Sequence, residues 1–109
     1  MADETFVNSN SFNWVASPYP GVFRKPLRFE ENGPRTSLLK MEPGGRIPPY
    51  LHPEGEELLI LERRLQVDGD KWYEAGWYMH TPPGGSNEVY TDTGALLLVT
   101  LPKPHIDLV

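Results

Sequence analysis

Prolines and glycines decide what this chain can become. Twelve prolines and ten glycines fill about a fifth of its 109 residues, against an average usage of about 12%. A proline inside a helix removes a backbone hydrogen bond and clashes with the preceding turn, at a cost of about 3 kcal/mol. Only residues 56–68 join a leucine-rich stripe to twelve or more positions free of proline and glycine. Strand is expected even there, because Leu58-Leu59-Ile60-Leu61 is a compact apolar block and Leu65-Gln66-Val67 then alternates. With 39% hydrophobic and 11% aromatic residues, the composition is not that of a disordered chain. Short apolar segments between turn formers, at roughly 8–12-residue spacing, predict an all-β sandwich or barrel.

The strands follow in order. Trp14-Val15 and Val22-Phe23 flank the turn Ser17-Pro18-Tyr19-Pro20-Gly21. Residues 26–30, 36–41 and 46–52 come next, the last with Pro48-Pro49 inside it. Residues 57–61 and 64–67 lead to the turn Asp68-Gly69-Asp70, then to the aromatic strands Trp72-Tyr73 and 77–80. Pro82-Pro83-Gly84-Gly85 is a rigid loop, and Val89-Tyr90 and 95–101 close the domain. Residues 1–13 are expected to form an N-terminal arm, 14–102 the barrel and 103–109 a tail in which His105 faces solvent.

Composition excludes several functions. Ten basic against fifteen acidic residues give a net charge of −5, so a surface that tracks nucleic-acid phosphates is not expected. No cysteine is present, which removes disulfides, thiolate zinc sites, iron–sulfur clusters and cysteine nucleophiles. The apolar runs 58–61 and 95–99 fall far short of the ~20 residues that span a bilayer. Met1-Ala2-Asp3-Glu4-Thr5 lacks the basic and apolar regions of a signal peptide. A cytoplasmic protein without membrane or nucleic-acid partners is expected.

Residues able to do chemistry gather in two stretches, 44–57 and 82–88. In an extended strand Tyr50 and His52 point to one face, and a turn then brings the chain round to Glu56. An imidazole and a carboxylate together inside a barrel mouth are natural ligands for a divalent cation. Glu56 and Glu57 point opposite ways, and Glu56 is taken as the inward one. Buried without a metal, it needs a partner such as Arg46 or Tyr50, or a raised pKa. Alternation puts Tyr78 and His80 on one face and Trp77 and Met79 on the other, with one face lining the cavity.

The arrangement as a whole resembles the small ChrR-like cupins. The resemblance runs through Trp14, Pro20-Gly21, Arg24-Lys25-Pro26-Leu27 and Thr36-Ser37-Leu38-Leu39. It continues through Tyr50-Leu51-His52-Pro53-Glu54-Gly55-Glu56-Glu57-Leu58-Leu59-Ile60-Leu61-Glu62 and Gly76-Trp77-Tyr78-Met79-His80-Thr81-Pro82-Pro83-Gly84-Gly85-Ser86-Asn87. It spans about residues 14–102 and implies a cupin jelly-roll β-barrel. Family members hold a metal with two histidines and a glutamate of the first motif and one histidine of the second. Those positions are Tyr50, His52, Glu56 and Asn87 here, so only His52 and Glu56 keep the expected type. Tyrosine is a costly ligand at its reference pKa near 10, and an asparagine oxygen suits hard cations. His80 would be a second imidazole if it turned inward, although the family often has arginine there. Arg63-Arg64 replaces the glycine that usually follows the first motif.

The resemblance implies a small-molecule pocket formed by Tyr50, His52, Glu56, Tyr78, His80 and Asn87. It also implies at most one weakly held divalent metal (Zn, Fe, Mn or Ni) on His52 and Glu56. The alternative is a metal-dependent dioxygenase-like enzyme acting on a small ketone or aromatic substrate. The zinc motif of the family's sigma-binding domain is absent from this sequence, so sigma-factor binding is not expected. Cupins commonly pair, and a homodimer is expected.

Overall fold

In a computed structural model of the chain, the structure describes residues 4–104 and the backbone of residues 106–107. His105 lies outside the described residues. After a 3-10 turn at Ser9–Ser11, the described residues form ten strands: β1 Val15–Ala16, β2 Val22–Phe29, β3 Arg35–Met41, β4 Arg46–His52, β5 Glu56–Val67, β6 Trp72–Glu74, β7 Tyr78–Thr81, β8 Gly85–Tyr90, β9 Ala95–Leu101 and β10 Ile106–Asp107. No α-helix occurs among the described residues. The leucine-rich window 56–68 is strand, as expected.

Every pairing is antiparallel, and β5 curls the sheet into a barrel. Its first half pairs with β9 and β7, and its second half with β6 and β8. One wall therefore reads β1-β2-β3-β9-β5-β7 and the other β6-β5-β8-β4-β10. The bend comes where the ladder to β9 shifts between Ile60 and Glu62 and Arg63 adopts φ +65°. A bulge there increases twist and re-aims the strand. The sequence reading split this strand at residues 62–63; the structure carries it through the bend. It also joins Val22-Phe23 to residues 26–29 in one strand, with an irregularity between Pro26 and Arg28.

The core fills the space between the walls. In β9, Ala95, Leu97, Val99 and Leu101 are buried while Leu96, Leu98 and Thr100 are half-buried, the period of two that a pleated strand imposes. Leu65 and Leu97 are wholly buried and Met41 nearly so. Burial of side chains this size stabilises by about 1.5–3 kcal/mol each.

Two details position the site. The β4–β8 register shifts between Ile47 and Tyr50, where Pro48-Pro49 has no N–H to give to a ladder. The shift changes the parity of the strand, so Ile47, Tyr50 and His52 are all buried. On the outer face, Lys25 Nζ donates to the Ser9 carbonyl at 2.6 Å and stacks over Trp14 and Phe12. The segment the sequence reading set apart as an arm is thereby laid along β2.

Candidate functional site

The site sits where β4 ends and β5 begins. The His52 carbonyl accepts from Gly55 N at 3.2 Å and Gly84 N at 2.8 Å. These bonds pin both the turn 53–55 and the loop 82–84 to the end of β4. Gly55 has φ +88°, and a Cβ there would stand 2.6 Å from the Thr81 carbonyl oxygen. Glycine is required by both the backbone conformation and the space. The turn feeds directly into β5, where Glu56 is buried and Glu57 exposed.

In this corner the Tyr50 hydroxyl donates to Glu56 Oε2 at 3.3 Å. His52 Nε2 lies 3.6 Å from Glu56 Oε1. The Tyr50 and His52 rings meet edge to face with centroids 4.5 Å apart. Glu56 is 4% exposed, and this burial pushes its carboxyl up from 4.5 to about 7, with the Tyr50 hydrogen bond pulling the other way. Of the two partners the sequence offered for Glu56, Tyr50 is the one present. Arg46 pairs with Glu88 instead.

The other candidate residues are placed differently. Asn87 stands opposite Tyr50 in the ladder. Its amide accepts from Thr81 Oγ1 at 2.6 Å and donates to Asp68 Oδ2 at 2.9 Å, the orientation in which a donor meets the acceptor-only carboxylate. Thr81, buried and directly opposite Glu56, is a site neighbour that the sequence did not signal. Tyr78 and His80 are not brought together with Tyr50 and His52. They pair with Leu59 and Glu57 on β5 and share the exposed face of Glu57, to which the Tyr78 hydroxyl donates at 2.6 Å. They border a shallow outer cleft that reaches the edge of Glu56. Tyr78, His80 and Met79 also border an apolar cleft of about 280 Å³ beneath Tyr73 and Trp77.

A cavity of about 130 Å³ opens from Tyr50 and Glu56 between the walls. Ile47 and Val99 are among its apolar sides; Ser17, Tyr19 and Ser37 add polar atoms to it, and two cationic side chains, Arg24 and Arg35, stand on it. In the sequence Arg24 reads only as part of a basic strand. The available signal was parity, since Arg24 is two residues from Val22 and Arg35 is two from Ser37 and four from Leu39, all on the same wall.

These residues do not fit a cupin metal centre. A catalytic transition metal takes three protein ligands with open positions left for substrate. The corner offers one imidazole and one carboxyl. The Tyr50 hydroxyl already donates its proton to Glu56, so it stands there as a neutral phenol, and the Asn87 amide is held by Thr81 and Asp68. Among the described residues no group of three His, Asp or Glu side chains is placed to hold an ion.

No curated protein matches the chain by sequence. Among solved structures it is similar to an acetylacetone dioxygenase from Acinetobacter johnsonii, with TM-score 0.87 and 16% identity over 96% of this chain and 78% of that one. It is also similar to the polyketide cyclase RemF from Streptomyces resistomycificus, with TM-score 0.81 and 17% identity over 98% and 87%. A chain in the complex of Rhodobacter sphaeroides SigE with the anti-sigma ChrR matches with TM-score 0.71 and 17% identity over 86% and 50%. At such identities these likenesses show a common cupin β-barrel. No helix among the described residues is long and apolar enough to cross a membrane. The sequence model of the ChrR Cupin-like domain matches residues 2–103, and the chain belongs to that family.

Proposed function

We propose that this protein binds a small organic molecule in the barrel cavity, hydrogen-bonded through Tyr50 and Glu56. The observation that carries this reading is the buried Tyr50–Glu56 pair on the wall of an otherwise largely apolar cavity. A concave apolar site with a few convergent polar groups and a shifted pKa is the usual form of a ligand pocket. The fold is shared with an acetylacetone dioxygenase, and acetylacetone is itself a small organic ketone.

One observation favours a second reading, in which a divalent metal is weakly held. His52 Nε2 and Glu56 Oε1 lie 3.6 Å apart in the buried corner, so two donors are already side by side. A dioxygenase-like activity needs a third, and the donor chemistry above supports the metal-free reading. The homodimer is a proposal that rests on the resemblance alone.

Benzamide and phenol are suitable neutral probes, titrated into isotope-labelled protein and followed by amide shifts. Shifts are expected at Tyr50, Glu56 and Val99. Tyr50→Phe is expected to weaken binding by up to about tenfold, the worth of one hydrogen bond. Probes that leave all three amides unmoved would contradict the reading.

A further inference from the structure

We infer that the molecule taken by this cavity is a small organic acid, its carboxylate paired with the guanidinium groups of Arg24 and Arg35 and its body in the apolar interior. This inference rests on the small-molecule reading above and names its ligand class.

The ladders put both arginines on the inner face. Arg24 lies directly opposite Leu39, which lies opposite the buried Leu97. Arg35 lies opposite the buried Leu101. Directly opposed residues in an antiparallel pair share a face, so both guanidiniums stand on the side that lines the cavity, and both border it. The other cations of this wall take the outer face, where Lys25 and Lys40 both stack on Trp14.

Among the described residues the charges of Arg24 and Arg35 are not neutralised by a carboxylate. Arg28, Arg46 and Arg64 each pair with a carboxylate, Glu30, Glu88 and Asp92 respectively. Among the described residues neither Arg24 nor Arg35 has such a partner. Arg35 instead donates from Nε to the Gly33 carbonyl at 3.4 Å and from Nη2 to the Glu30 carbonyl at 3.2 Å. Those carbonyls and the Phe29 ring beneath the guanidinium fix its position and leave its charge in place. Among the described residues Glu56 is the one acid on the cavity wall. Two guanidiniums against one carboxyl leave the wall positive in either state of Glu56.

A guanidinium fork matches a carboxylate in two parallel hydrogen bonds. The remaining surface is largely apolar, which suits a hydrocarbon body rather than a free inorganic anion. At about 130 Å³ the cavity is well below the ~300–1,000 Å³ of drug-sized sites, so the acid is of the size of one ring or a short branched chain.

Benzoate, its neutral counterpart benzamide and inorganic phosphate test the inference, titrated by amide shifts into wild-type protein, Arg24→Gln and Arg35→Gln. Arg24 is exposed, so Arg24→Gln is expected to fold as the wild type does, which a thermal melt checks. Benzoate is expected to bind at least about tenfold more tightly than benzamide. Each substitution is expected to remove about tenfold of benzoate affinity and leave benzamide unchanged, as the loss of a charge-assisted bond requires. Benzamide binding as well as benzoate, with both variants unaffected, would overturn the acid inference and leave the small-molecule reading standing. Phosphate displacing benzoate at equal concentration would also overturn it. No shift with benzoate or benzamide would overturn both.

Discussion

Glu56→Gln is expected to remove a pH-dependent loss of stability of about 3 kcal/mol. Burial moves the Glu56 carboxyl from 4.5 to about 7, so between those pH values the folded chain holds a proton that the unfolded chain has lost. Stability then falls as pH rises. Below about pH 4.5 both states are protonated and nothing is lost. Above about pH 7 both are ionised, and the full cost of a buried carboxylate is borne by the folded state. The interval between the two values corresponds to about 3 kcal/mol. The groups facing Glu56 are Tyr50 and His52 on β4, Thr81 on β7, and Arg24 and Arg35 across the cavity. They are common to both proteins, so the difference between the two pH profiles belongs to Glu56. Urea unfolding at pH 4 and pH 8 checks this. The glutamine variant should gain on the wild type by about 3 kcal/mol from the first pH to the second, and parallel profiles would contradict the burial argument.

Gly55→Ala is expected to cost about 2–6 kcal/mol and to misplace Glu56. The residue holds φ +88°, a conformation that costs an L side chain about 1–3 kcal/mol. Its Cβ would stand 2.6 Å from the Thr81 carbonyl and 3.4 Å from backbone atoms of Pro82 and Pro83. Backbone cannot swing aside as a flexible side chain does, and such crowding adds about 1–3 kcal/mol. Gly69 is the internal control. It has φ +66° with nothing within 4 Å of an added Cβ, so Gly69→Ala should lose only the conformational part. Denaturant unfolding of both variants separates the two contributions. Equal losses would show that the contact with Thr81 does not constrain the turn.

Much of this architecture was legible in the sequence because it follows from local chemistry. Pro and Gly spacing excluded helices, and β4 carries its expected bounds of 46–52. The opposite facing of Glu56 and Glu57 needed only the period of a strand. What was not legible depended on register. Alternation put Tyr78 and His80 on one face, but only pairing with Leu59 and Glu57 decides that this face is the outer one. The continuity of β5 was hidden by Glu62-Arg63-Arg64, a charged break that reads as a turn and is a bend within a strand. Arg24 and Arg35 were hidden by their chemistry, since a charged residue on an inner face contradicts the binary pattern. Such departures from pattern mark functional sites more often than errors.

The metal content of the purified protein distinguishes a hydrogen-bonded cavity from a metal centre. Protein prepared without chelator or nickel affinity resin, then incubated with Fe²⁺, Zn²⁺ or Mn²⁺ and desalted, would be measured by elemental analysis beside His52→Ala. A cavity built on the Tyr50–Glu56 hydrogen bond predicts far less than one metal per chain, the same in both proteins. One equivalent of metal that disappears in His52→Ala would contradict the account and restore His52 and Glu56 as the core of a metal centre.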